Sequence, residues 1–156
     1  MLQSEENPPN SALHLRKAAL AYAARGWYVF PCLVGGKTPV FKGGFHGATT
    51  NPAVIERWWG GQALQYRHRY WPISGLWVVD IDPGGALDGL PLTLESATGR
   101  SRHLYFTTRQ HLSSTAGVIG LGIDTRGEGG YVLAPPSVHP SGATYRWTVT
   151  VEPRDL

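Results

Sequence analysis

The sequence predicts an α+β fold with a mostly antiparallel mixed sheet and flanking helices. Three observations support this. Helical apolar spacing is confined to the first 60 residues, whereas strand-like runs recur from residue 76 onward. A hydrophobic fraction of 42% excludes general disorder. A length of 156 residues suits one domain that buries a core without disulfides or a structural metal.

Residues 1–10 are polar and have neither the basic start nor the apolar stretch of a signal peptide. They read as a flexible arm ahead of a domain spanning 11–156. Ser11 can cap a helix over 12–25, with Leu13, Leu20, Ala21 and Ala24 on one face and Gly26 as its stop. Residues 27–33 read as a buried strand, and Pro31 places its end near an edge. Residues 35–39 read as a loop. Asn51 caps and Pro52 starts a short helix to about residue 59, closed by Gly60-Gly61. Residues 62–72 fit neither period. Leu76-Trp-Val-Val-Asp-Ile-Asp82 is a strong buried strand, and 83–97 reads as a loop. A strand with apolar alternates covers 102–107. Weaker strands cover 118–125, 130–134 and 144–151. No run approaches the roughly 18 apolar residues of a membrane helix. The chain therefore reads as cytoplasmic, with no membrane partner. A single cysteine, Cys32, excludes an intramolecular disulfide and a zinc site built on two or more cysteines.

The net charge of +3 is mild, but its distribution is not. Residues 7–79 hold 8 basic residues against 1 acidic one, and residues 96–123 hold 3 basic residues and no acid. A basic surface around an acidic centre suits phosphates approaching bound cations.

Asp80 and Asp82 define that centre. Strand side chains alternate, so two residues apart means one face, with Ile81 on the other. Like charges this close repel, and a divalent cation removes the cost. Mg²⁺ prefers carboxylates plus phosphate oxygens. The apolar Leu76-Trp-Val-Val79 ahead of the pair sets it at a buried strand's edge, where bare charge is expensive. Asp124 is the third candidate: it either joins the pair from an adjacent strand or forms a surface pair with Arg126. Arg126 shares its face and could reach a phosphate.

Ser101 and His103 share a face at the start of the 102–107 strand, and both can donate to a phosphate oxygen. Arg100 and Arg102 flank them. Gly35-Gly-Lys-Thr38 is not a P-loop, because Pro31 stands where that motif needs its first glycine. Lys37 is either a phosphate ligand or a solvated loop charge. Ser137 and His139 lie in a Pro-rich turn that could line a groove or simply punctuate a hairpin. Arg67, Arg69 and Tyr70 interleave cations with an aromatic ring, which suits single-stranded DNA. The aromatic residues there could equally cover the sheet edge.

The ordered set Val78-Val-Asp-Ile-Asp82, Ser101-x-His103 and Ile123-Asp124 resembles the three motifs of the archaeo-eukaryotic primase superfamily. Gly26-Trp-Tyr-Val-Phe-Pro31, Lys37-Thr-Pro39, Trp58-Trp59, Gly122-Ile-Asp-Thr-Arg-Gly127, Gly130-Tyr-Val, Pro135-Pro-Ser137 and Tyr145-Arg-Trp147 are similar to the bifunctional DNA primase/polymerase N-terminal family. The resemblance spans about residues 12–148. It implies an RRM-like primase-polymerase core, with Mg²⁺ or Mn²⁺ on Asp80, Asp82 and Asp124. His103, Ser101 and Arg126 would hold the triphosphate, with Lys37, Arg102, Ser137 and His139 as further nucleotide contacts. It also implies a single-stranded DNA template and primer, dNTP or NTP substrates, and a helicase domain or protein as a further partner. The family's Gly-Gly-x-His approach to the histidine is here Arg100-Ser101-Arg102-His103. Two rival readings use the same residues: a single-stranded nucleic-acid-binding module without autonomous catalysis, and a metal-dependent phosphodiesterase.

Overall fold

A computed structural model describes residues 12–33, 35–60, 67–70, 75–98 and 100–156. The expected arm at 1–10 lies outside the described residues, as does most of the segment 62–72.

Helix α1 (Ala12–Ala24) follows the Ala- and Leu-rich run and buries Leu15, Ala19 and Tyr22. It stops where Gly26 turns left-handed, at φ 77°. There Trp27 N–H donates to the Tyr22 carbonyl (3.0 Å) and Gly26 N–H to the Ala23 carbonyl (2.9 Å). This is a Schellman closure, and the stacked Tyr22 and Trp27 rings supply its apolar contact. Helix α2 (Pro52–Gly60) starts as expected: Asn51 Oδ1 accepts from Ala53 N–H at 2.9 Å, with Pro52 at the first helical position. A single 3₁₀ turn, Gly44–Gly47, lies between strand β1 (Val29–Cys32) and α2.

The remaining strands are β2 (Arg67–Tyr70), β3 (Leu76–Ile81), β4 (Leu94–Ala97), β5 (Arg102–Thr107), β6 (Thr115–Gly120), β7 (Ile123–Arg126), β8 (Val132–Leu133), β9 (Arg146–Val149) and β10 (Arg154–Asp155). They form two sheets. The large one runs β6-β7-β3-β5-β4-β9, antiparallel throughout, with β10 added parallel to the end of β5. The small one runs β1-β2-β8, also antiparallel. The α+β architecture with a mostly antiparallel sheet and two helices is as the sequence predicts.

Alternation along β3 divides the core. Leu76 and Val78 join Tyr105 and Leu94 in a cluster that also takes Leu15, Ala19, Tyr22, Ile55 and Trp59 from the helices and Val29 and Val132 from the small sheet. Val79 and Ile81 face the other way and pack with Leu104, Phe106 and Ile123. Each face thus has its own apolar layer, the helical one being the larger.

Three expectations need correction. The segment 83–97 ends in a strand, β4, because Leu94 and Ser96 alternate inward; the small, polar Ser96 hid that period. The single strand expected at 118–125 is a hairpin, turned at Leu121-Gly122 with Gly122 at φ 69°. The inward face of the first helix is not the one expected: α1 buries Leu15, Ala19 and Tyr22, Leu13 and Leu20 are only half-buried, and Ala21 and Ala24 are exposed, because the helix packs along the row of Leu15, Ala19 and Tyr22. Among the described residues, no helix is long and apolar enough to cross a membrane.

Candidate active site

The register of the large sheet builds the site. Asp80 on β3 lies directly opposite His103 on β5 and directly opposite Asp124 on β7. Direct cross-strand partners project from the same face with Cβ atoms about 5 Å apart. Three residues distant in sequence are thereby set in a row on the helical face, just past the apolar layer that ends at Val78.

His103 Nε2 stands 3.4 Å from Asp80 Oδ1. This is an ion-pair distance rather than a well-formed hydrogen bond. Asp80 Oδ1 and His103 Nδ1 are both buried without a hydrogen-bond partner among the described residues. Burial alone would raise the Asp80 carboxyl; contact with His103, the charge on His103, and the charges of Arg126 and Lys37 outweigh it and hold the carboxyl below its ordinary range.

Arg126 is two residues beyond Asp124 on β7 and shares its face. Its Nη2 lies 3.1 Å from Asp124 Oδ2 and 3.9 Å from Asp80 Oδ2. The other Asp124 oxygen, Oδ1, accepts from Gly117 N–H at 3.0 Å. Asp82 lies just beyond β3 and is exposed. Its N–H donates to the Gly122 carbonyl (2.9 Å), and its Oδ1 accepts from Ser101 Oγ (3.2 Å). The structure thus brings Asp80, His103, Asp124 and Arg126 together, with Asp82 and Ser101 paired at the strand end.

A cavity of about 400 Å³ opens over Asp80 and His103, whereas Asp124, Asp82 and Ser101 are not among the residues that line it. Asp80, His103 and Arg126 form its polar wall, and Lys37 reaches it from the loop after β1. Gly129, Gly130, Tyr131, Val132 and Leu133 form the opposite wall, together with Tyr145. The Tyr145 ring sits 5.3 Å from the His103 ring at 35°. Gly130 permits a close crossing: a Cβ there would lie 2.4 Å from Ser114 Oγ. Gly127 is tighter still, since its Cβ would meet the Leu112 carbonyl oxygen at 1.9 Å.

Other expected contacts fall elsewhere. Arg102 faces away from His103 by strand alternation and forms a bidentate pair with Glu95, Nε to Oε1 at 3.0 Å and Nη2 to Oε2 at 2.8 Å. It therefore does not line the cavity. Ser137 is fully buried, and its carbonyl accepts from Tyr145 N–H at 2.8 Å. His139 packs edge-on to Tyr145 at 6.1 Å, and its Nδ1 accepts from Ser141 N–H at 3.1 Å. Neither belongs to the cavity lining; both support Tyr145. Arg67, Arg69 and Tyr70 lie on β2, whose backbone is described, while their side chains lie outside the described residues. Tyr131 and Tyr145 were not singled out as site residues, although Gly130-Tyr-Val and Tyr145-Arg-Trp147 are among the motifs noted above.

The donor set fits a small, hard divalent cation. It consists of carboxylate oxygens, one of them buried and without a hydrogen-bond partner among the described residues, beside a wall that also carries the basic side chains of Lys37 and Arg126. Among the described residues no three of His, Cys, Asp and Glu form a closed cluster that could hold a metal ion. A cation here would draw on one or two carboxylates and complete its shell with water and phosphate oxygens, the usual habit of Mg²⁺.

The family model described as bifunctional DNA primase/polymerase, N-terminal, matches residues 19–156. No curated protein matches the chain. The match takes in β3, β5 and β7 and every residue named in the cavity wall. The chain belongs to the bifunctional DNA primase/polymerase N-terminal family.

Proposed function

We propose that this chain is a divalent-metal-dependent nucleotidyltransferase, a DNA-directed primase/polymerase built on an RRM-related catalytic core. It would join a dNTP or NTP to a primer or initiating nucleotide on a single-stranded DNA template, in cytoplasmic replication of a phage, plasmid or bacterial element. The observation that carries this reading is the row Asp124, Asp80, His103, of which Asp80 and His103 line a cavity together with Lys37 and Arg126.

Lys37 and Arg126 attract the triphosphate, and His103 Nε2 is placed to donate to one of its oxygens. Asp80 and Asp124 would hold Mg²⁺ or Mn²⁺, with Asp82 as a further carboxylate at the strand end. When bound, the cation lowers the cost of charge on the attacking 3′-hydroxyl and on the leaving pyrophosphate. Tyr131 and Tyr145 wall the cavity and keep the nucleotide against the acidic row. Ser101 orients Asp82. Arg67, Arg69 and Tyr70 of β2 receive the template strand, and a helicase supplies it. Positioning and charge stabilisation account for most of the acceleration in such transfers.

The test is incorporation of labelled dNTP on a primed single-stranded template with Mg²⁺ or Mn²⁺. Wild type is expected to extend the primer, and Asp80→Asn to lose roughly 10³-fold or more in rate. Equal extension by the two proteins would refute the reading. Template binding with no extension under any cation would favour a binding module instead.

A further inference from the structure

We propose that Arg126 competes with the divalent cation for Asp80 and Asp124, and moves to the substrate's phosphates when the cation is bound. The proposal rests on the nucleotidyltransferase reading for the identity of the cation and the phosphates.

The geometry makes the competition direct. Of the four carboxylate oxygens, Asp124 Oδ1 is committed to Gly117 N–H, and Asp80 Oδ1 faces His103. The remaining two, Asp80 Oδ2 and Asp124 Oδ2, would join Asp80 Oδ1 in holding a cation. Both are met by Arg126 Nη2, at 3.9 and 3.1 Å. A guanidinium keeps its charge at any working pH, so it cannot yield by losing a proton. It yields by moving. About a third of its side chain is exposed, and it lines the same cavity as Lys37. A rotation of the side chain therefore exchanges carboxylate oxygens for phosphate oxygens, which suit the planar fork equally well. Arg102 shows the alternative: it is tied through two nitrogens to both oxygens of Glu95. Arg126 touches each of its partners through a single nitrogen.

Two consequences follow. Without nucleotide, Arg126 weakens cation binding, because the two positive charges oppose each other across a few ångströms. With nucleotide, it strengthens binding of the phosphates. An enzyme so built loads cation and nucleotide together rather than separately.

The experiment measures Mn²⁺ binding to the full chain by the paramagnetic resonance signal of the free ion, with and without dATP. Folding is verified by thermal melting. Arg126→Gln is expected to bind Mn²⁺ about tenfold tighter than wild type when dATP is absent. Arg126→Lys, which keeps the charge on a shorter reach, is expected to fall between them and serves if the glutamine variant does not fold. Adding Asp124→Asn is expected to abolish the gain. With dATP present, the wild type is expected to bind the nucleotide best and Arg126→Gln least. Mn²⁺ binding to Arg126→Gln that is equal to or weaker than wild type overturns the proposal, and assigns Arg126 to orienting the carboxylates. Primer extension is a separate readout. Tighter Mn²⁺ binding by Arg126→Gln, with no extension by the wild type under Mg²⁺ or Mn²⁺, would uphold the competition and reject the nucleotidyltransferase reading.

Discussion

The two faces of the large sheet use the same three strands for opposite ends. On one face β3, β5 and β7 present Asp80, His103 and Asp124 in a row. One residue along each strand, Ile81, Leu104 and Ile123 close a dry apolar layer with Val79 and Phe106. The polar row is affordable because the dry layer behind it fixes the register. Slipping any one of these strands by one residue would turn its member of the polar row into the apolar layer and its aliphatic member out of it. The two arginines repeat the contrast. Arg102 is pinned on the outer face by both oxygens of Glu95, whereas Arg126 faces the cavity and is held more loosely.

The largest effects come from breaking one face at a time. Asp80→Asn is expected to abolish primer extension, by about 10³-fold or more, while the urea midpoint moves little. Phe106→Ala, on the dry face and fully buried, is expected to cost about 3–5 kcal/mol of stability in the same urea titration. Activity at a temperature well below its melting point should survive. An equal loss of activity in the folded Phe106→Ala protein would erase the distinction between the faces.

Gly127→Ala is the next in size. Its methyl would meet a backbone oxygen that cannot step aside, and overpacking of this kind costs about 1–3 kcal/mol or more. The cavity wall at 129–133 follows directly, so weaker nucleotide binding should accompany the stability loss, read by fluorescence titration.

The smallest effect separates the two arginines. Arg102→Ala should leave nucleotide affinity unchanged and cost at most about 1 kcal/mol, since half of the arginine side chain is in solvent. Its pH dependence is diagnostic. The Arg102 hydrogen bonds hold the Glu95 carboxyl below its ordinary value of 4.5, so the stability they add is full above that value and is lost as the pH falls through the lowered one. Urea melts of wild type and Arg102→Ala should therefore differ at pH 7 and converge in acid. A gap that persists to pH 2 would assign the loss to packing of the arginine stem instead.

Much of this arrangement was legible in the sequence. Both helices, with their stop at Gly26 and their cap at Asn51, follow from local signals and appear where expected. The strands β3 and β5 stand out by apolar content, and period 2 placed Asp80 opposite in face to Ile81. What could not be read was pairing. Nothing local to 102–107 or 123–126 says that both flank β3, and hence that Asp80 meets His103 and Asp124 in register. The same blindness put Arg102 beside a nucleotide, although alternation from His103 already argued for the far side. β4 escaped because only Leu94 carries an apolar signal on its inward face, the other buried residue being the small, polar Ser96. Tyr145 escaped because its role depends on a ring 42 positions upstream, that of His103.

The central claim is that the Asp80-centred row receives a triphosphate and its cation. A crystal structure with a non-hydrolysable dNTP analogue and Mn²⁺ tests it most directly, because the anomalous signal locates the ion without assumption. The account predicts Mn²⁺ on Asp80 and Asp124, phosphate oxygens within hydrogen-bond reach of His103, Lys37 and Arg126, and Arg126 withdrawn from at least one carboxylate. An ordered analogue bound elsewhere, with this cavity empty, would contradict it.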